Sequence, residues 1–390
     1  MATKLNKKAG DSITFKDAND KVIKAKIKGV FTNYVGHHIY ASESLYKSWN
    51  TKAKTSHTYL IKSKKTTKKF ERDLGKFIKK GDNFMPTLAK IVFRVVDYVT
   101  YIPQNKHEML YDREKVVKIK KNIRYSKTDK RECKLDIYRI PGKKPQPVMF
   151  YIHGGGFTAG SKFCREGLAT WMAKLGIAVV NINYGLSPKY NFKESMGMIC
   201  EALEWLNKNA RKYNLDTKRV CFGGDSSGGY CALYLTDICT NKKLREELGF
   251  KKPSITPAGL YTCCGIFDLE KMLHIPVLGL VSGLLSRDVM GATKKQFKSH
   301  PDRELCSPIN YVNKNFPKEI FVNYSKKDLL CGGQSDKLME LYDKYGLKYT
   351  ECYSTKFLDN HCYQLLWNGE ACDALNEALS KFIKDFVANS

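Results

Sequence analysis

A mostly parallel β-sheet flanked by helices, the α/β class, follows from three observations on this sequence. From about residue 82 onward, short apolar runs of strand length alternate with longer amphipathic segments, the pattern of a sheet covered on both faces. Two glycine-rich turns, His153-Gly154-Gly155-Gly156-Phe157 and Gly224-Asp225-Ser226-Ser227-Gly228, each follow directly on one of those runs. The hydrophobic fraction, 43% of 390 residues, is ample for a large core.

Residues 1–80 read as a separate small α+β module. Apolar and polar residues alternate over 12–16 and 22–27 around Asp17-Ala18-Asn19-Asp20, which predicts a hairpin with one buried face. A further strand is read at 58–61, and a lysine-rich helix over 66–80 sets Phe70, Leu74 and Phe77 on one side. Residues 81–390 form the main domain. It opens with an apolar-periodic helix over 84–102 that ends near Pro103, and the stretch 83–110 is read as cap material. Strands are predicted at 134–140, 148–152, 177–182, 219–223, 258–263, 319–324 and 348–353. Helices are predicted at 194–213, 227–239, 335–345 and 371–388. The stretch 269–300 breaks the alternation and reads equally as a second cap element or as an excursion packed on the core.

The two glycine turns carry the candidate chemistry. A serine hydroxyl is a poor nucleophile unless it is exposed, deprotonated by a neighbour and faced by N–H groups that can hold an oxyanion. Glycines two before and two after a serine tolerate a sharp strand-to-helix turn that supplies the exposure. Ser226 has Gly224 and Gly228 at those positions, whereas Ser227 has Asp225 and Gly229, so Ser226 is the candidate nucleophile and Ser227 offers a backbone N–H. Two N–H groups from among Gly154, Gly155 and Gly156 would complete the oxyanion hole, while His153 braces the loop. In this strand–turn–helix setting the partners follow in the order acid, then histidine. Only His274, His300 and His361 come after Ser226, and His361 alone stands on a short loop past the last strand. Asp328, soon after the apolar run 320–324, is the candidate acid; Asp237, Asp268, Asp302 and Asp359 are placed less well.

Composition narrows the rest. Thirteen cysteines, all at or after Cys133 and without a repeated Cys-x-x-Cys spacing, suit free thiols in a reducing compartment. The N-terminus lacks the apolar core of a signal peptide, and no run reaches the length of a membrane span, which predicts a cytoplasmic protein. The net charge of +28 comes mostly from dispersed lysines rather than arginine clusters interleaved with aromatics, so no specific nucleic-acid partner is expected. His37-His38 reads as a surface pair, and no cofactor or metal is expected. A non-catalytic binding protein on the same scaffold and a polyanion- or membrane-surface-binding protein are the competing classes. The first would be expected to lack one of the three polar residues, and none is lacking.

The region from about residue 82 to the end resembles the hormone-sensitive-lipase-like branch of the α/β-hydrolases. The resemblance rests on His153-Gly154-Gly155-Gly156-Phe157, Gly160-Ser161, Tyr184-Gly185-Leu186-Ser187-Pro188, Gly224-Asp225-Ser226-Ser227-Gly228-Gly229 and Ser307-Pro308. It implies an α/β-hydrolase fold and a serine carboxylesterase, or lipase-like esterase, acting on small-molecule esters of short acyl chains through an acyl-enzyme. This sequence departs from the branch at Gly185, where arginine is usual, at Ser227, where alanine is usual, and at Leu329-Leu330-Cys331-Gly332, where an acidic residue is common. Residues 10–17 and 34–40 resemble part of the extracytoplasmic domain of FtsX-like permeases.

Overall fold

The computed structural model describes residues 12–16, 22–26, 94, 117–126, 132–274, 286 and 288–389. The chain divides into two units, Met1–Lys76 and Phe77–Ser390. In the first, strands β1 (Ser12–Lys16) and β2 (Val22–Lys26) pair antiparallel with Thr14 opposite Lys24. The strand read at 58–61, the helix read at 66–80, His37-His38 and most of the permease-like segment lie outside the described residues. So does the 84–102 helix, apart from Arg94, which is helical.

The second unit is built on an eight-stranded sheet in the order β10-β9-β8-β7-β5-β6-β4-β3. Its strands are β3 (Lys118–Arg124), β4 (Lys134–Arg139), β5 (Gln146–Ile152), β6 (Ala178–Ile182), β7 (Leu215–Asp225), β8 (Gly259–Cys263), β9 (Glu319–Ser325) and β10 (Thr350–Ser354). From β6 to β10 every pairing is parallel, while β3 and β4 run antiparallel at one end. Each strand predicted from residue 134 onward is present, with ends shifted by a few residues. Strand β3 was not predicted. Its sequence, Lys-Ile-Lys-Lys-Asn-Ile-Arg, buries no residue fully, because an edge strand packs at most one face and its lysines discourage further pairing.

The central strands are apolar on both faces for a geometric reason. Side chains alternate across a strand, so Val148, Phe150 and Ile152 of β5 enter one core while Met149 and Tyr151 enter the other. Helices α2 (Phe192–Tyr213) and α3 (Ser227–Thr240) cover the first face with Ile199, Leu203, Leu206 and Leu233. Helix α1 (Glu166–Lys174), which the sequence reading missed, covers the second with Leu168 and Met172, beside Leu375 and Leu379 of the C-terminal helix Glu370–Ala388. Helix α2 starts two residues earlier than its apolar period suggested. Asn191 accepts the Glu194 N–H and the Glu194 carboxylate accepts the Asn191 N–H, a capping box that fixes the start. Within 269–300 the described residues include two short helices, α4 (Leu269–Leu273) and α5 (Lys294–Phe297). Helices α6 (Gln334–Lys344) and α7 (Glu370–Ala388) complete the layers.

Helix α3 carries one group that opposes folding. Asp237 is fully buried, and neither of its carboxylate oxygens has a hydrogen-bond partner among the described residues. Burial drives its pKa well above the ordinary carboxylate value, so it folds as the neutral acid. Above the unfolded pKa the unfolded chain has released this proton and the folded chain retains it, so stability falls as pH rises. Asp237→Asn removes that dependence. The variant should match the parent near pH 4 and gain on it by about 1.4 kcal/mol per pH unit above that, until the folded carboxyl ionises. Denaturant melts across that range check it, and equal slopes in the two proteins would exclude a neutral Asp237.

Candidate active site

The turn at Ser226 is held by close backbone approach. Strand β7 ends at Asp225 and helix α3 starts at Ser227, which leaves Ser226 at φ 52° and ψ −123°, a conformation that L-residues rarely adopt. Side chains cannot flank it. A Cβ on Gly224 would lie 2.3 Å from the Gly228 oxygen, and one on Gly228 would lie 2.1 Å from the Ile152 oxygen. These contacts are the physical content of the pentad: α3 presses against the end of β5 and turns the Ser226 side chain out of the strand.

Three polar side chains meet there. His361 Nε2 lies 2.8 Å from Ser226 Oγ, and His361 Nδ1 lies 2.9 Å from Asp328 Oδ2. The other oxygen of Asp328 accepts the N–H groups of Leu330 at 2.8 Å and Cys331 at 2.9 Å. Burial alone would raise the Asp328 pKa, but the His361 charge and these hydrogen bonds outweigh it and hold the carboxyl below its ordinary value. Burial likewise disfavours a charged His361, and the Asp328 carboxylate overcomes it and raises the imidazole pKa well above the ordinary value. Cys331 also touches the ring, but burial pushes its own thiol up to about 12, so it stands there as a neutral group.

The structure separates Asp328 from the other carboxylates. Asp359 accepts the Ser354 hydroxyl at 2.7 Å and so is tied to the end of β10. Asp237 is buried inside α3, and Asp268 caps α4 through the Lys271 N–H. The residue that sequence reasoning overlooked is Asn360. Its side-chain oxygen accepts the N–H groups of Leu329 and His361, and its amide donates to the Lys327 carbonyl at 2.9 Å. One amide therefore clamps the loop bearing the acid to the loop bearing the imidazole.

The first glycine turn lies against Ser226 from the other side. The Gly154 N–H donates to Asp225 Oδ2 at 3.2 Å and is not available to a substrate. The N–H groups of Gly155 and Gly156 have no partner among the described residues, and that of Ser227 begins a helix and has no intrahelical acceptor. The Ser227 hydroxyl, a departure from alanine, accepts the Phe157 N–H at 3.3 Å. His153 is buried, its Nδ1 2.8 Å from the Gly154 oxygen and its ring stacked on Tyr184; burial lowers its pKa to about 4. It braces the loop as a neutral ring. A cavity of about 570 Å³ opens beyond this loop between Lys121, Lys134, Ser161 and Phe163, but none of Ser226, Asp328 and His361 lines it.

A model of the BD-FAE family matches residues 135–342, just over half of the chain. The chain belongs to the BD-FAE family. Among curated proteins, it is 34% identical to bovine (Bos taurus) arylacetamide deacetylase over 170 residues, 40% of this chain and 41% of that protein. It is 25% identical to the probable carboxylic ester hydrolase LipM of Mycobacterium tuberculosis over 266 residues, 65% of this chain and 58% of that protein. The curated relatives are thus matched over roughly a quarter to three fifths of their length. Among solved structures, esterase B of Lactobacillus rhamnosis, inhibited by a tributyrin phosphonate, aligns with a TM-score of 0.66 at 16% identity, covering 79% of this chain and 97% of that one. The Pyrobaculum calidifontis esterase aligns at 0.58 and 17%, covering 80% and 97%. The fold is that of the α/β-hydrolases.

Beneath the site, Asp225 is held by a buried guanidinium. Arg165 Nε and a terminal nitrogen reach its two oxygens at 2.9 and 2.7 Å, and both side chains are excluded from solvent. Replacing Arg165 by methionine leaves the buried Asp225 carboxyl without its counter-charge. The variant should lose about 3–5 kcal/mol of stability, and adding Asp225→Asn should restore part of it. Urea unfolding of the single and double variants measures both, and a single variant within about 0.5 kcal/mol of the parent would contradict the pairing.

Proposed function

We propose that this chain is a serine carboxylesterase that cleaves small-molecule esters of short acyl chains through an acyl-enzyme. The observation that carries the reading is the unbroken hydrogen-bonded chain from Ser226 Oγ through both ring nitrogens of His361 to Asp328. In that arrangement His361 takes the Ser226 proton as the hydroxyl attacks the ester carbonyl, then returns it to the leaving alcohol. Asp328 fixes the ring tautomer and stabilises the imidazolium. The N–H groups of Gly155, Gly156 and Ser227 would hold the oxyanion, with Gly154 committed to Asp225. Water admitted after the alcohol leaves would reverse the roles and release the acid. Relatives named esterase, carboxylic ester hydrolase and arylacetamide deacetylase support this reaction class.

The substrate in this reading is a small-molecule ester, and the dispersed lysines give no reason to expect a specific nucleic-acid partner. Among the described residues no helix is long and apolar enough to cross a membrane. All thirteen cysteines carry free thiols, which supports residence in a reducing compartment such as the cytoplasm.

Turnover of a p-nitrophenyl acyl series by the purified chain tests the activity and its chain-length preference together. Ser226→Ala should lower turnover by about 10⁶ without unfolding the protein. Asp328→Asn should lower it by about 10⁴, because the amide favours the wrong tautomer, while Asp359→Asn should do little. The pH profile discriminates further. The base must be neutral, so activity climbs as pH rises through the His361 pKa. Removing the Asp328 charge that raises this pKa should move that limb to lower pH. A dead Asp359 variant beside a normal Asp328 variant would reassign the acid.

Residues 1–80 are proposed to be a separable module attached to a catalytic domain over 81–390, with cap elements near 83–110 and 269–300. The division of the chain into the units Met1–Lys76 and Phe77–Ser390 supports a boundary near residue 80. A chain lacking residues 1–80 should stay soluble and hydrolyse the same esters at a comparable rate. A truncated protein that melts cooperatively but has lost turnover would make the segment part of the site instead.

A further inference from the structure

Three cysteines from two places in the sequence meet directly behind His361. Cys263 ends strand β8, Cys264 follows it, and Cys362 follows His361 itself; all three are buried, and their sulfurs lie within 4.8 Å of one another. No disulfide joins them, and Cys264 and Cys362 sit at φ 45° and 53°, conformations that a non-glycine residue holds only where its surroundings impose them. Nothing in the hydrolysis described above uses a thiol at this place. Cys264 also belongs to a second group, its sulfur lying within 4.8 Å of an Asp328 oxygen and a His361 nitrogen.

We propose that Cys263, Cys264 and Cys362 form a binding site for a zinc-class divalent cation, and that its occupancy switches ester hydrolysis off. Zinc takes thiolate sulfur at about 2.3 Å in a tetrahedral arrangement, which puts neighbouring sulfurs about 3.8 Å apart. The three thiols need to close by no more than about 1 Å from the observed limit of 4.8 Å to reach it. Three soft sulfur donors select zinc or cadmium over magnesium or calcium, which require oxygen. The metal takes all three sulfurs as thiolates, with the S–H protons they carry released to solvent, and leaves a ZnS₃ centre of net charge −1 with water in the fourth position. A monovalent ion would leave −2, a heavier charge to bury.

The coupling to hydrolysis, which rests on the proposed triad, has two parts. Cys362 is covalently next to His361, so drawing its sulfur toward the metal moves the imidazole off Ser226. The net negative centre, with the Cys264 sulfur within 4.8 Å of a His361 nitrogen, also favours the imidazolium, the form that cannot take the Ser226 proton. The ion would therefore act as a reversible brake.

Binding and turnover are measured separately on the full-length, reduced, chelator-treated protein. Cadmium titration followed by the thiolate-to-cadmium absorption band should saturate at one ion per chain, and zinc should displace it. Zinc should protect three thiols from a disulfide reagent. Cys263→Ala and Cys362→Ala should each weaken cadmium binding by at least about 100-fold, more than the loss of an outer-shell partner costs. Cys164→Ala, Cys200→Ala and Cys352→Ala, which alter partly exposed thiols elsewhere, should leave it unchanged. Thermal melts establish that each variant is folded. Saturation that ignores the cluster variants, or no absorption band in folded protein, overturns the site. Zinc bound at the cluster with ester turnover intact overturns the brake. Absence of turnover from metal-free protein overturns the esterase reading and leaves the metal site standing.

Discussion

Asp225 is the carboxylate on which the geometry around Ser226 depends, because it gathers donors from three segments of the chain at the residue just before that serine. Both nitrogens of the Arg165 fork, the Tyr151 hydroxyl at 2.8 Å and the Gly154 N–H converge on its two oxygens. The charge is wholly excluded from water, and burial by itself would neutralise it; the Arg165 charge and these hydrogen bonds keep its pKa below the ordinary value. Through this one group, strand β5, the glycine loop and the segment leading into α1 are fixed relative to the turn at Ser226. A neutral residue there could not hold an arginine fork, and a displaced arginine would leave a charge in the core. The pair therefore sets the glycine loop in register with the serine more than it adds net stability.

The strain at Ser226 is tolerable because of what surrounds it. A left-handed φ on a non-glycine residue costs on the order of 1–3 kcal/mol. Here the Ser226 N–H donates to the Cys263 carbonyl at 2.8 Å, and α3 is pinned to β5 by the approach at Gly228. Sheet and helix thus hold the turn from both sides, and relaxing Ser226 would mean separating β7 from β8. The outward hydroxyl follows from packing that is already in place before any substrate arrives.

Much of this was legible in the sequence because it is local. The apolar runs at 148–152, 219–223 and 319–324 predicted central strands, and the spacing of Gly224 and Gly228 about Ser226 described a contact between neighbouring elements. Asp328 and His361 could be chosen because chain order and position after a strand limit where a loop residue can point. Other features could not be read. Strand β3 carries too many lysines to look like a strand, since an edge is built to be wet. The Arg165–Asp225 pair spans 60 residues, and although Asp225 stands inside the serine motif, Arg165 has no periodic or motif signal; the arginine is legible only once α1 is folded against the turn. The cysteine cluster joins positions 263, 264 and 362, a proximity that only the parallel pairing of β8 and β9 and the loop after β10 create.

Asn360 shows how Asp328 and His361 come to be matched. Asp328 sits on the loop after β9 and His361 on the loop after β10, two connections with separate freedom to move. Parallel pairing brings the strand ends side by side, with Ser325 opposite Ser354, but it fixes nothing beyond them. The Asn360 amide supplies the rest: it accepts from Leu329 and His361 and donates to Lys327, so the two loops share one set of hydrogen bonds. Neither loop can shift its ionisable side chain without breaking bonds held by the other. The 2.9 Å contact between Asp328 and His361 is therefore maintained by the backbone on either side as well as by its own charge. A histidine tautomer fixed in this way is ready before substrate binds, which is what the general base of the proposed reaction requires.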